Sequence, residues 1–247
     1  MCAKVLTMAD ITLPSGLKLQ IRGLKGKELK ILQDKTSLRT GTIGERIFSA
    51  CTVSVLDPGI YSFKDGPAGP VVTWDDVLLG DRFALMLAIR SATFGAAFPF
   101  KVTCRHCDES YEWQLNLTDL PVKALAPEDV AVLKAGESLT ARLPSTQALV
   151  KFRLATGKDE RAVAKAKTEP NAILSMLALR ISEIDGVDNV RAFLDDAELA
   201  DLISLLGEMD KRDCGVETTI ETACEHCDRI NEVGLPLGEN FWGLKKG

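Results

Sequence analysis

No apolar run in this chain is long enough to cross a bilayer. The longest, Phe83-Ala84-Leu85-Met86-Leu87-Ala88-Ile89, falls far short of the roughly 20 residues a spanning helix needs. The first residues lack a basic start followed by an apolar core, so no targeting segment is expected. Nor is there an excess of Lys and Arg. The formal charge of −5 argues against a general nucleic-acid surface, which needs clustered cations to neutralise phosphates. No serine stands in a nucleophile elbow, and the glycines match no phosphate-binding loop, so no catalytic set rises above background. No segment is of low complexity. At 247 residues, 46% hydrophobic and 26% charged, the chain reads as an ordinary soluble protein near the upper size for one core, and two lobes sharing an interface are expected.

The sequence does contain a repetition. Cys104-Arg105-His106-Cys107 returns as Cys224-Glu225-His226-Cys227, 120 positions later. The same offset maps Asp75 and Asp76 onto Asp195 and Asp196, Leu79 onto Leu199, Asp81 onto Asp201, Leu85 onto Leu205, Gly95 onto Gly215 and Asp108 onto Asp228. Leu13-Pro14-Ser15 returns as Leu143-Pro144-Ser145 at an offset of 130. The chain is therefore read as an internal duplication of one α+β unit, with a loop of roughly ten residues gained or lost between the early and late parts.

Periodicity fills in that unit. Alternation from Ile11 to Ile21 predicts a strand or hairpin around Pro14-Ser15-Gly16, followed by helices over 26–33 and 43–56, a Gly/Pro-rich loop over 57–72, and a helix opened by a capping box at Thr73-Trp74-Asp75-Asp76 and stopped by Gly95. Tyr111, Trp113, Leu115 and Leu117 alternate with polar residues and predict a half-buried strand, with 100–103 as its antiparallel partner. The second copy predicts a strand over 148–154, helices over 158–168 and from Pro170 to Asp185-Gly186, a helix over 195–213 with Leu199, Leu202, Ile203 and Leu206 as its core stripe, and a hairpin over 216–235. The unit is thus strand–helix–helix–helix–β-hairpin. Residues 1–119 are assigned to the first repeat, 120–140 to a linker and 141–247 to the second repeat.

Both cysteine pairs fall at the turn of a predicted hairpin. Two residues between cysteines let a tight turn face both thiolates toward one ion, and two such turns supply the four ligands of a closed, structural zinc site. Cys104, Cys107, Cys224 and Cys227 are therefore expected to share one zinc between the repeats. Four thiolates also hold iron–sulfur clusters, and redox-active pairs or simply buried thiols are further alternatives. The only two histidines, His106 and His226, each precede the second cysteine of a pair and offer a different ligand set. Of the remaining three cysteines, Cys51 lies in an apolar helical run and reads as a small buried hydrophobe. Asp75-Asp76 and Asp195-Asp196 read as helix-opening acids rather than catalytic pairs.

Gly80-Asp81-Arg82-Phe83-Ala84-Leu85-Met86-Leu87-Ala88-Ile89-Arg90, Gly95, the first knuckle and the alternating strand ending at Leu120 resemble the baseplate hub assembly proteins of T-even-type tailed phages. So do Ile184-Asp185-Gly186, Gly215, the second knuckle and Leu235-Pro236 before Phe241-Trp242. The resemblance implies a tail protein that acts at the baseplate hub through contacts with other tail proteins, without enzymatic turnover, nucleic acid or membrane. It carries the four cysteines over as metal ligands. The remaining alternatives are an iron–sulfur or redox protein and a nucleic-acid-binding zinc module.

Overall fold

The computed structural model describes residues 8–67, 69–166, 172–237 and 241–243. In chain order the first half contains β1 (Ala9–Thr12), β2 (Lys18–Ile21), α1 (Leu29–Leu32), α2 (Lys35–Thr40), α3 (Ile43–Cys51), β3 (Thr52–Asp57), β4 (Lys64–Gly66), β5 (Gly69–Val71), α4 (Leu79–Phe94), β6 (Ala97–Thr103) and β7 (Ser110–Asn116). There follow β8 (Val122–Lys123), α5 (Pro127–Lys134), β9 (Leu139–Arg142), β10 (Leu149–Phe152), α6 (Gly157–Ala166), α7 (Ala172–Arg180), β11 (Ile181–Ile184), α8 (Val190–Asp196), α9 (Leu199–Arg212), β12 (Gly215–Val216), β13 (Thr219–Ala223) and β14 (Ile230–Gly234). Helices and small antiparallel sheets alternate, an α+β architecture. Among the described residues no helix is long and apolar enough to cross a membrane.

Each half opens on a three-stranded antiparallel sheet with its second strand in the middle, ordered β1-β2-β3 and β11-β10-β9. The sequence reading expected a strand or hairpin in the first half, where β1 and β2 form a hairpin, a single strand in the second, and helices running to residue 56 and to residue 185. Both helices stop early, at Cys51 and Arg180, and the chain continues as β3 and β11. Thr52, Val53 and Val55 are β-branched and stiff at χ1, which favours the pleat, and the free edges of β2 and β10 supply the hydrogen-bond partners. The Gly/Pro-rich stretch after Asp57 also holds a short hairpin, β4–β5. Residues 168 and 170, where the sequence placed a helix end and a helix start, lie outside the described residues.

The long helices are shorter than expected at their N-termini. Residues Trp74–Asp76 form a separate 3-10 turn, Thr73 caps nothing with its side chain, and α4 begins only at Leu79. The backbone between them is claimed by the second half: the Gly157 amide donates to the Val77 carbonyl at 3.1 Å and the Leu79 amide to that of Ala155 at 2.9 Å. Asp195 and Asp196 likewise close α8 rather than open α9. Asp75 and Asp76 pair with Arg161 and Lys158 of α6, so these acids join the halves. Arg161 holds Asp75 below the ordinary carboxylate range, whereas burial and the Asp75 charge push Glu45, its other partner, upward. Residues 120–140 contain β8 and α5 as ordered elements, with Leu120 and Leu125 buried and Asp129 bonded to Arg212.

The first core lies between β1–β3, α3 and α4 and includes Leu17, Leu19, Ile21, Ile47, Trp74, Leu85 and Ile89. The second lies between β9–β11 and helices α7 to α9 and includes Val150, Phe152, Leu177, Leu194, Leu205 and Met209. A third joins α4 to both later hairpins through Leu87, Phe98, Leu117, Leu235 and Phe241. Phe241 is 1% exposed and packs edge-on against Phe98, so the aromatic pair Phe241-Trp242 closes this core.

Matching carboxylates hold the first turn of each half. Asp81 of α4 accepts from the Ser15 amide at 2.9 Å, from the Ser15 hydroxyl, and from Tyr61 at 2.6 Å. Asp201 of α9 accepts from the Ser145 amide at 2.7 Å and from Thr146 at 3.2 Å. Burial raises the Asp81 pKa above its ordinary value despite these donors. Burial pushes Asp201 in the same direction, but the Ser145 and Thr146 donors outweigh it and its pKa is lowered. The pH dependences are therefore opposite in sign. The stability that Asp201 contributes is present above its unfolded pKa, about 3.9, and is lost as pH falls through the folded value. The Asp81 contribution is full below that pH and declines as pH rises through its raised value. Urea midpoints of the wild type should therefore approach those of Asp201→Asn on acidification, and should lose ground to those of Asp81→Asn as pH rises from about 4. Parallel profiles for the two variants would contradict this assignment.

Candidate metal centre

The strands β6 and β7 pair from Ala97↔Asn116 to Thr103↔Ser110, and β13 and β14 from Thr219↔Gly234 to Ala223↔Ile230. Each hairpin ends in the same turn. The Cys104 amide donates to the Glu109 carbonyl at 2.9 Å, and the Asp108 amide to the Cys104 carbonyl at 3.0 Å; in the other hairpin Cys224 and Arg229, and Asp228 and Cys224, do the same at 3.0 and 2.9 Å. Asp108 and Asp228 both adopt positive φ, 60° and 58°, a left-handed conformation that Asp tolerates better than most residues. Inside each turn the amide of the histidine, His106 or His226, points at the sulfur of the first cysteine at 3.4 Å.

The two tips meet. The Sγ atoms of Cys104, Cys107, Cys224 and Cys227 all lie within 4.8 Å of one another, with Cys104–Cys227 and Cys107–Cys224 at 3.7 Å. Cys104 and Cys224 are buried, and Cys107 and Cys227 half-buried. The separation suits one ion: a tetrahedron with metal–sulfur bonds of about 2.3 Å has edges of about 3.8 Å. The structure brings no other His, Cys, Asp or Glu into this set among the described residues. Both histidines are exposed, and the His106 ring turns away to the Ile230 carbonyl at 3.3 Å.

Four thiols so close cannot all ionise unaided. Burial opposes charge on Cys104, but the His106 amide and the Asn231 side-chain amide, together with Cys107, outweigh it and lower its pKa to about 6. The Glu109 amide favours charge on Cys107, yet burial and the three neighbouring sulfurs prevail and push it up to about 12. Cys227 is also raised: the Arg229 amide favours its charge, but burial and the Cys104 and Cys224 sulfurs outweigh that help. A central dication would offset half of the charge on four thiolates and so favour their ionisation.

Beneath the sulfurs lies a buried polar bridge absent from the sequence reading. Asn231 of β14 accepts from the Arg105 amide at 3.0 Å and donates to the Cys104 sulfur at 3.5 Å and to the Tyr111 hydroxyl at 3.2 Å; Tyr111 and Thr222 pair at 2.7 Å. Asn231, Thr222 and Tyr111 are all nearly inaccessible. One signal did exist: Tyr111 and Asn231 are 120 positions apart, each at an inward-facing place of its strand, and an inward asparagine needs partners. Cys51 and Cys214 are buried away from the cluster; burial pushes the Cys51 thiol to about 11 and raises that of Cys214 further.

A sequence profile described as T4 bacteriophage base plate protein matches residues 67–239, more than half of the chain. The chain belongs to the T4 bacteriophage base plate protein family. Comparison with curated proteins and with solved structures finds no match. The span common to the T4 base plate family runs from the end of β4 to just beyond β14, so it includes α4, both cysteine-bearing hairpins and the fully buried residues of the second core. As a base plate protein the chain is a structural component of a phage tail, a setting that implies contact with other tail proteins. The match extends to the family and does not single out its hub assembly members.

Proposed function

We propose that the chain acts in the hub region of the baseplate as an assembly component, binding other tail proteins without catalysing a reaction, and that a single structural zinc ion clamps its two repeats together. The sulfur tetrahedron at the meeting of the two hairpins carries this reading. Cys104, Cys107, Cys224 and Cys227 are the proposed ligands. A multi-iron cluster would interpose iron and sulfide atoms between the thiolates and calls for a wider set than one in which every sulfur lies within 4.8 Å of the others. Closure by four protein ligands leaves no open coordination position for a substrate or water, which favours a structural over a catalytic ion.

Duplication of one unit gives this arrangement a simple origin. Two hairpins with the same turn, each following a long helix, α4 or α9, meet at their tips. The repeats are taken as residues 1–119 and 141–247 with 120–140 as the linker, and the second core also takes in Leu78 from the first repeat and Leu125 from the linker. Assembly in the host cytoplasm before incorporation into the tail fits a reduced, zinc-loaded cysteine set.

The test is twofold. Purified protein should contain one zinc per chain and be colourless, and mass spectrometry of fractionated virions should find the chain in the baseplate fraction. Deletion of its gene should leave unattached baseplate parts. Complete, functional tails assembled without it would refute the assembly role, and a brown protein or two metal ions per chain would refute the single-zinc clamp.

A further inference from the structure

Helix α9 is amphipathic in the opposite sense to the one its sequence suggests. Its buried side carries Asp201, Leu205 and Met209, whereas Leu199, Ile203 and Leu206 are 70%, 61% and 39% exposed. Leu202 alone of the expected stripe packs against the second core. Ala200 and Gly207 also face solvent on this side, so the exposed face combines large apolar side chains with small residues that permit close approach.

The same face is covered in the first half. Leu79, Phe83, Met86 and Leu87 of α4 stand 120 positions before Leu199, Ile203, Leu206 and Gly207. Phe83, Met86 and Leu87 pack into the third core with Phe98, Leu117, Leu120, Leu235, Phe241 and Trp242. One helix face thus serves as a packing surface in one half and stands bare in the other.

The charge at the N-terminal end of the face is one-sided. Asp196 and Glu198 at its N-terminal end are exposed and have no ion-pair partner among the described residues, and Asp210 is exposed at the other end. The cations of α9 are already engaged, Arg212 by Asp129 and Lys211 by Glu208 at 3.8 Å. A second copy of this face would bring apolar surface but no free cation to Asp196 and Glu198, and each copy carries a net charge of −5.

We propose that the exposed face of α9 docks an amphipathic segment of another tail protein, with an apolar stripe toward Leu199, Ile203 and Leu206 and Lys or Arg on its flanks. This rests on the reading of the chain as a tail assembly component. A gene-deleted phage complemented in trans tests it, with incorporation into purified tails measured by quantitative mass spectrometry. Two variants are used, Ile203→Glu with Leu206→Glu, and Asp196→Lys with Glu198→Lys. All four residues are exposed, so the zinc content and unfolding temperature of the wild type should persist. The charge variant serves alone if the apolar one fails to fold. Incorporation should fall about a hundredfold for the first and about tenfold for the second. A photo-crosslinking benzoylphenylalanine at Ile203 should link to an apolar segment flanked by cations in a different tail protein. Wild-type incorporation of both variants overturns the proposal, as does a crosslink to a second copy or to an acidic segment. If the wild-type chain itself is missing from tails, the assembly role fails first, and this inference with it.

Discussion

Cys104→Ser should release the proposed zinc ion and cost several kcal/mol of stability, because binding free energy at structural zinc sites, about 10–16 kcal/mol in small peptides, is coupled to folding. The loss should be concentrated where the hairpins meet. Without a central cation the remaining cysteines take up protons, and the buried bridge of Asn231, Tyr111 and Thr222 is left to hold the tips alone. Cys227→Ser should behave alike, since its sulfur lies 3.7 Å from that of Cys104. His106→Ala is the control: its ring is exposed and turned toward Ile230, so the metal should stay and stability should change by less than about 1 kcal/mol. Elemental analysis and thermal unfolding of the three variants decide the matter. Equal loss of metal from the histidine and cysteine variants would show that the ligands are misassigned.

Gly80→Ala should destabilise by about 2–4 kcal/mol, a large effect for one methyl group. A Cβ at Gly80 would lie 1.9 Å from the Cys214 carbonyl oxygen and 2.8 Å from the Gly215 Cα. Both obstacles are backbone, and β12 is held in place by its pairing with β8, so neither can swing aside as a flexible side chain would. The α4–β12 approach would have to open, and the third core, which α4 shares with Val216, would open with it. Gly207→Ala supplies the contrast. No atom lies within 4 Å of a Cβ there, and within a helix the substitution should stabilise by about 0.5–1 kcal/mol. Urea midpoints moving in opposite directions for the two variants are the expected result; a neutral Gly80→Ala would mean that α4 and β12 are not so closely apposed.

The repetition was legible without coordinates because it is a property of residue order. So were the two hairpins, since the alternation of Tyr111, Trp113 and Leu115 has a period that only a strand satisfies, and the Cys-x-x-Cys spacing marks a tight turn by local geometry alone. Gly95, at φ 91°, was readable as a helix stop for the same local reason. The sequence misled where an element's state depends on distant partners. Residues 52–57 carry enough apolar spacing for a helix, and the open edge of β2 makes them a strand. Thr73 to Asp76 carry the letters of a capping box, but the backbone just beyond them is bonded to the second half, and the two acids are taken by Arg161 and Lys158. The leucines of α9 have helical spacing whichever side faces the core. Spacing determined the helix; the anchoring of Asp201 to the Ser145 turn determined which side is buried, and left Leu199, Ile203 and Leu206 in water. The meeting of the four sulfurs was expected from duplication, but its dimensions and the inward Asn231 bridge follow only from the packing of the two hairpins. Local periodicity and turn chemistry act within a few residues and are written in order along the chain, whereas the choice of face, edge and ion-pair partner is made between segments separated by as many as 127 positions.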